Sequence, residues 1–170
     1  MTLALLIVLA TSPNEIVAQA QAHLAPAKAA LKEALTQAVA KSPVHAIDVC
    51  SIHAPEIAKA HSKGGVLLGR SALKLRNQKN KAPTWAEKAM HELSAMKNSD
   101  ANTHRSISIS DTRAGYVEAI WVQPMCLTCH GENISQPVAD AISSKYPNDE
   151  AINFKAGDFR GIFWVEFDKK

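Results

Sequence analysis

Residues 126–130 read Cys126-Leu127-Thr128-Cys129-His130, the CxxCH pattern by which proteins attach a c-type haem. On one helical turn Cys126 and Cys129 share a face, so their sulfurs can reach two vinyl groups along one edge of a porphyrin. His130 lies on the same side, where its imidazole can bind the iron as the proximal ligand. The pattern predicts a covalent haem c with Cys126 and Cys129 as attachment points and His130 as a metal ligand.

Two other types of site use similar residues. A zinc half-site would need two further ligands at finger-like spacing, and the sequence has no second CxxC and no HxxxH. A thioredoxin-like redox dithiol also uses CxxC, but it is expected in a βαβ context near the start of a chain. Here the pattern comes late and follows a strand-like segment. Haem is therefore the favoured interpretation, and a redox dithiol without haem is kept as an alternative function.

The second axial position of the iron has several candidates. Cys50 is the odd one of three cysteines and falls on the apolar face of a predicted helix. It is either an inert buried residue, an exposed partner for an intermolecular disulfide, or an axial thiolate. His53, one turn later, is its main rival. Met125 has little room to cross the ring, because it is adjacent to Cys126, and the remaining candidates, His61 and His91, are expected to face solvent.

The composition describes one ordinary globular domain. At 170 residues the chain is long enough for a real core, and its net charge of +3 comes from interspersed acids and bases. That distribution argues against a nucleic-acid partner. Alanine dominates the apolar residues of the first 60 positions and indicates helices there. Aromatic residues are only 5% of the chain, so a bound haem would add apolar surface to an aromatic-poor core.

The N-terminus predicts export. Residues 3–10 form an apolar run that is too short to span a bilayer and resembles the hydrophobic region of a signal peptide. Small residues at Ala18 and Ala20 would allow cleavage after Ala20, although no Lys or Arg precedes the run. The alternative is a buried start to the first helix. We therefore divide the chain into a signal peptide or N-terminal anchor, 1–20, and a haem-binding domain, 21–170, and expect a periplasmic or otherwise exported protein, membrane-associated if the anchor is retained.

The remaining segments alternate between helical and extended patterns. The periodicity predicts helices over 13–41, 43–60 and 84–96 and a short one at 137–145, with Pro55 kinking or breaking the second and Thr84 and Glu87 forming a capping box at the third. Strands are predicted at 66–75, 105–110, 116–122 and 161–167, with a hairpin turn at 111–115. This order predicts an α+β domain with a small antiparallel sheet.

Several segments together resemble a bacterial family, also found in cyanobacteria, of small c-type haem domains with a PAS-like fold. The matching segments are 46–50 and 54–58, 69–77, 124–131, 146–151 and 157–161. The resemblance runs from about residue 25 to the C-terminus. It implies a PAS-like sheet with N-terminal helices over the haem, and His and Cys as the axial ligands. It favours Cys50 over His53 as the distal ligand. Glycine is common in the family near Asn153, where this chain departs from it.

Arg70, Lys74 and Arg76 form a basic cluster with two interpretations. They line a solvated strand face, or Arg70 and Arg76 contact the haem propionates, since guanidinium groups match carboxylates well. Arg160 is a similar case, with a salt bridge to Asp158 or Asp149 as its alternative.

The expected function follows from the two axial ligands. A thiolate favours ferric iron, so a His/Cys pair should give a low reduction potential. With both axial positions filled there is no open site for a substrate, and we expect no enzymatic activity. The first hypothesis is low-potential electron transfer to a redox partner protein that the sequence does not identify. The second is sensing, in which reduction or a gas such as NO or CO displaces Cys50. The sequence gives no oligomeric state.

Overall fold

The computed structural model describes residues 12–100 and 103–169, and within them the chain folds as an α+β domain. The α+β prediction is confirmed. The helices are α1 Pro13–Lys41, α2 Pro43–His61, α3 Thr84–Ser94, α4 Leu127–His130 and α5 Gln136–Lys145. The strands are β1 Leu67–Ser71, β2 His104–Ser108, β3 Arg113–Trp121 and β4 Phe159–Asp168.

The strands form one antiparallel sheet in the order β1-β4-β3-β2. Because side chains alternate along a strand, Phe163, Val165 and Phe167 of β4 all point to one face, which α1 covers. Ile162 and Trp164 point to the opposite face, which α3 covers. The sheet is thus enclosed by helices on both sides, and α2 packs against α1, β1 and α5.

Helix α1 begins with a complete capping box. Ser12 Oγ accepts from the Glu15 amide at 3.3 Å, and Glu15 Oε2 accepts from the Ser12 amide at 2.7 Å. The next turns bury Ile16 and Ala20 against the sheet. The predicted boundary at 20/21 falls within helix α1. The predicted hydrophobic region, 3–10, lies outside the described residues. No described helix is long and apolar enough to cross a membrane.

Three local predictions need correction. Helix α2 has no break at Pro55, which was one of the two predicted effects of this proline. Pro55 is exposed, so water can replace the one backbone hydrogen bond that the proline removes. Thr84 is the first residue of α3 and not its cap, since Pro83 holds the extended N-cap conformation and gives α3 no side-chain cap bond. Strand β1 ends at Ser71, because the chain stops pairing with β4 after this residue. The predicted end at Leu75 was four residues too late.

Candidate cofactor-binding cavity

A cavity of about 520 Å³ opens between α1, α2, β1 and the turn that carries the CxxCH pattern. Its walls are mainly apolar. They include Leu31, Leu35, Val39, Ile47, Ala54, Ile57, Leu75, Ile120 and Phe163. A cavity of this size with a few polar groups is typical of a site for a small molecule or cofactor.

Cys126, Cys129 and His130 lie on one short turn at the cavity wall. Pro124 starts this turn as a 3₁₀ helix, which passes into α4 at Leu127. The two cysteines are half-buried and free, with no disulfide between them. The structure therefore places all three residues at the same cavity.

Cys50 lies in α2, far from the CxxCH turn in sequence, and it lines the same cavity. Burial raises the pKa of its thiol, while the positive charges of Arg70 and Arg76 lower it. His53 lies elsewhere: its ring is exposed and its Nδ1 is 3.1 Å from Glu56 Oε2. Of these two candidates for the distal position, the structure brings only Cys50 to the cavity.

The other candidate ligands differ in placement. Met125 lines the cavity but is 46% exposed, next to Cys126. His91 is exposed on α3, and His61 is half-buried at the end of α2. Neither histidine is among the lining residues of the cavity.

The His130 ring is held in one orientation. Its Nδ1 lies 2.7 Å from the carbonyl oxygen of Ala151, and Phe154 meets its ring edge-on with centroids 6.3 Å apart. Because a carbonyl only accepts, Nδ1 must carry the proton, which leaves Nε2 free to bind a metal. Burial and the nearby guanidiniums of Arg160 and Arg76 lower the pKa of His130 to about 3, so the imidazole is neutral at physiological pH.

Three arginines approach the cavity, and they differ in how they are neutralised. Arg76 pairs with Asp149 at 3.0 Å and also donates to backbone carbonyls. Arg70 makes no hydrogen bond or ion pair with the residues described in 12–100 and 103–169. Arg160 donates to the Lys74 carbonyl at 3.4 Å and stacks on Phe154, with no carboxylate partner in the described chain.

These contacts separate the predicted arginine roles. Arg70 faces the cavity with an uncompensated charge, as a propionate contact requires. Arg76 is already engaged by Asp149, so its predicted contact with a propionate is less favoured than one from Arg160. The suggested salt bridges from Arg160 to Asp158 or Asp149 are absent from the described contacts. Burial and the neighbouring guanidiniums of Arg70 and Arg76 lower the pKa of Arg160 to about 10, which still leaves it charged.

Sequence reasoning missed the segment 149–154, which holds the CxxCH turn from behind. The Phe154 amide donates to the His130 carbonyl at 3.0 Å, and the Asn153 amide donates to Gly131 at 3.1 Å. Asn153 has φ of 62°, which explains why glycine suits this position. The segment was visible only as part of the family resemblance, because no spacing rule connects it to His130.

The residues at the cavity fit a haem better than a bare metal ion. In the described part of the chain no three His, Cys, Asp or Glu side chains are grouped to hold an ion. One imidazole and one thiol are instead the number of donors that an iron already bound by four porphyrin nitrogens requires. Arg70 and Arg160 match two propionates in number and charge. The Nε1 of Trp164, which also lines the cavity, is buried without a partner in the described structure.

Comparisons with known proteins agree with this architecture. A family model described as Tll0287-like matches residues 9–167. Among solved structures, the crystal structure of the cyanobacterial heme-protein Tll0287 matches with a TM-score of 0.62 and 24% identity, covering 94% of this chain and 98% of that one. At this identity the structural likeness shows the fold alone. No curated protein matches the chain.

Proposed function

Since the chain belongs to the Tll0287-like family, we propose that it is a c-type haem protein that transfers electrons at low potential. The observation that carries the proposal is the convergence of Cys50, Cys126, Cys129 and His130 on one apolar cavity from two separate parts of the chain. The solved structure that it resembles is described as a heme-protein. The cavity supplies the donors, the apolar walls and the cations that such a group needs.

Cys126 and Cys129 would hold the haem covalently. Each thiol would supply the sulfur of one thioether bond to a porphyrin vinyl group, with its hydrogen passing to the neighbouring vinyl carbon. Because the attachment takes place outside the cytoplasm, the proposal includes export of the protein.

His130 and Cys50 would hold the iron from its two sides. His130 offers Nε2 as a neutral donor, because Ala151 fixes the proton on Nδ1. Cys50 would bind as the thiolate, since a coordinated thiol is deprotonated. Bound between these ligands, the haem supplies a one-electron redox centre, and the charged sulfur favours its ferric state.

Two filled axial positions favour electron transfer over catalysis. A substrate would need an open coordination site, and Cys50, which lines the cavity, would close that site as the distal ligand. Arg70 and Arg160 would orient the group by binding its propionates.

The proposal is tested by producing the full chain with the haem-attachment machinery. Its mass should increase by one haem, and the ferric protein should show a low-spin thiolate spectrum. Cys50→Ser should remove the thiolate signature and raise the potential while the haem stays attached. His53→Ala is the matched control and should leave the spectrum unchanged. A colourless protein of unmodified mass would refute haem binding and favour a redox dithiol.

Exposure of the reduced protein to CO and NO separates electron transfer from sensing. A protein that only transfers electrons should bind neither gas rapidly, because Cys50 stays on the iron. Rapid replacement of Cys50 on reduction would contradict simple electron transfer and support the sensor hypothesis.

A further inference from the structure

The carbonyl oxygen of Ala151 accepts two hydrogen bonds. One comes from His130 Nδ1 at 2.7 Å and the other from Arg76 Nη2 at 3.2 Å. A carbonyl has two lone pairs, so both bonds can form at once. The two donors compete for electron density on a single oxygen, and one of them is a cation.

Arg76 is fixed in this position by several contacts. Its Nε and Nη2 lie 3.1 Å and 3.0 Å from Asp149 Oδ2, and its Nη2 also donates to the Cys129 carbonyl at 2.5 Å. Only 10% of the Arg76 side chain and 8% of the Asp149 side chain is exposed. A lysine could not reproduce this arrangement, since it lacks the planar guanidinium that reaches several acceptors together.

Asp149 completes the connection from the other side. Its Oδ1 accepts from the Ala151 amide at 2.8 Å. The ion pair therefore holds both the N–H and the C=O of Ala151, and it sets the position of the oxygen that His130 contacts. Arg76 and Asp149 lie far from the CxxCH turn in sequence, but they act on the residue directly behind its imidazole.

We propose that Arg76 is a positioning residue that limits how strongly Ala151 polarises the His130 imidazole and so raises the reduction potential of the bound iron. This inference rests on the proposed function. A strong acceptor at Nδ1 gives the imidazole more anionic character and makes it a better donor to ferric iron. Arg76 draws density from that acceptor, so the imidazole stays closer to neutral. The effect counteracts the Cys50 thiolate, which favours the ferric state.

The charges of the pair allow the hydrogen-bond effect to be isolated. Arg76 and Asp149 are together neutral, so replacing both leaves the net charge near the iron unchanged. Replacing only Asp149 leaves an uncompensated cation and should raise the potential. Replacing only Arg76 removes the hydrogen-bond donor and leaves the Asp149 carboxylate uncompensated. Each of these two effects should lower the reduction potential.

The experiment compares midpoint potentials of haem-loaded variants. In the double variant Arg76→Gln/Asp149→Asn we expect ferric iron to gain about tenfold over ferrous, a decrease of about 59 mV for one electron. Arg113→Gln/Asp168→Asn removes another Arg–Asp pair, N–O 2.8 Å, which is more exposed and lies among residues that do not line the cavity. This control should leave the potential unchanged. An unchanged potential in the Arg76 variant would overturn the proposal.

A spectroscopic measurement separates polarisation from simple support of the loop. In a Cys50→Ala background the ferrous iron–histidine stretch reports the donor strength of His130, and it should rise in frequency when Arg76 is replaced. A lower melting temperature with no change in stretch would make Arg76 only a structural tether. If the double variant does not incorporate haem, Arg76→Lys takes its place, because it keeps the charge but loses the guanidinium hydrogen bond to the Ala151 carbonyl. The midpoint potential and the iron–histidine stretch of that variant then decide in the same way. Absence of haem in the unmodified chain would instead refute the proposed function.

Discussion

The two halves of α1 cover the same face of the sheet in different ways. In the first half, Ile16 and Leu24 are buried against Tyr116 and Phe167, and Leu24 also forms part of the cavity lining. In the second half, Leu31 and Leu35 keep the same helical periodicity but stay half-buried and line the cavity. The apolar pattern continues into a stretch that packs against α2 and also borders the cavity. That stretch leaves room for a group other than protein beside Leu31 and Leu35.

The sheet beneath changes at the same point. One row of cross-strand neighbours, Leu68, Val165 and Tyr116, belongs to the core cluster under the first half of α1. The next row on the same face, two residues along each strand, is Arg70, Phe163 and Glu118. A charged row without a full set of partners would be costly in a closed core. It is suitable beside a cofactor that is apolar in its centre and anionic at one edge.

Matched substitutions in the two halves of α1 should have the most different effects. Leu24→Ala should lower the free energy of unfolding by about 2–5 kcal/mol, because Leu24 is 1% exposed and its removal leaves a void. Leu35→Ala should lower the free energy of unfolding much less in the haem-free chain. The loss should be larger when haem is attached. Urea unfolding of both variants, with and without haem, measures this. Equal costs in the haem-free chain would show that the two halves do not differ.

Much of this arrangement could be predicted from the sequence, and the reasons are local. The bounds of α1 follow from Ser12, Glu15 and the apolar spacing, and the CxxCH turn follows from its own residues. Contacts between distant segments could not be predicted. The Ala151 carbonyl behind His130 has no sequence signal, because any residue supplies a carbonyl. The different states of Arg70 and Arg76 depend on Asp149, which is adjacent to one of them only after folding.

Truncation should show where the closed core begins. A chain that starts at Gln21 loses the Ser12 cap and Ile16, and we expect a loss of about 3 kcal/mol from about 2 for the apolar side chain and about 1 for the cap. A chain that starts at Ser12 should keep the stability of the full protein. Thermal unfolding compares the two, and N-terminal sequencing of exported protein should give no cut after Ala20. An equally stable chain from Gln21 would support the predicted boundary.

Removal of the haem should loosen only the cavity half. In the variant Cys126→Ser/Cys129→Ser, amides of α2 and of the second half of α1 should exchange on the order of 100-fold faster, corresponding to about 2.7 kcal/mol. Amides near Ile16, which does not line the cavity, should change little. Hydrogen exchange of the variant against the haem-loaded protein measures the difference by segment. A uniform increase along α1 would mean that the helix responds as one unit.

The smallest expected difference is in pH dependence, and it also belongs to the cavity half. Burial and the arginines lower the pKa of His130 to about 3, against about 6.5 in an unfolded chain. As the pH falls below about 6.5 the unfolded chain therefore takes up a proton that the folded haem-free chain excludes, and the free energy of unfolding decreases until the pH reaches about 3. Above about 6.5 this effect is absent.

Unfolding of the haem-free double cysteine variant at pH 7 and pH 4.5, with and without His130→Gln, isolates the contribution, because all other titrating groups are common to the two chains. The histidine chain should lose more stability than the glutamine chain over this interval. Equal losses would mean that water reaches the imidazole freely, and the cavity would then be too open to hold His130 neutral before haem is attached.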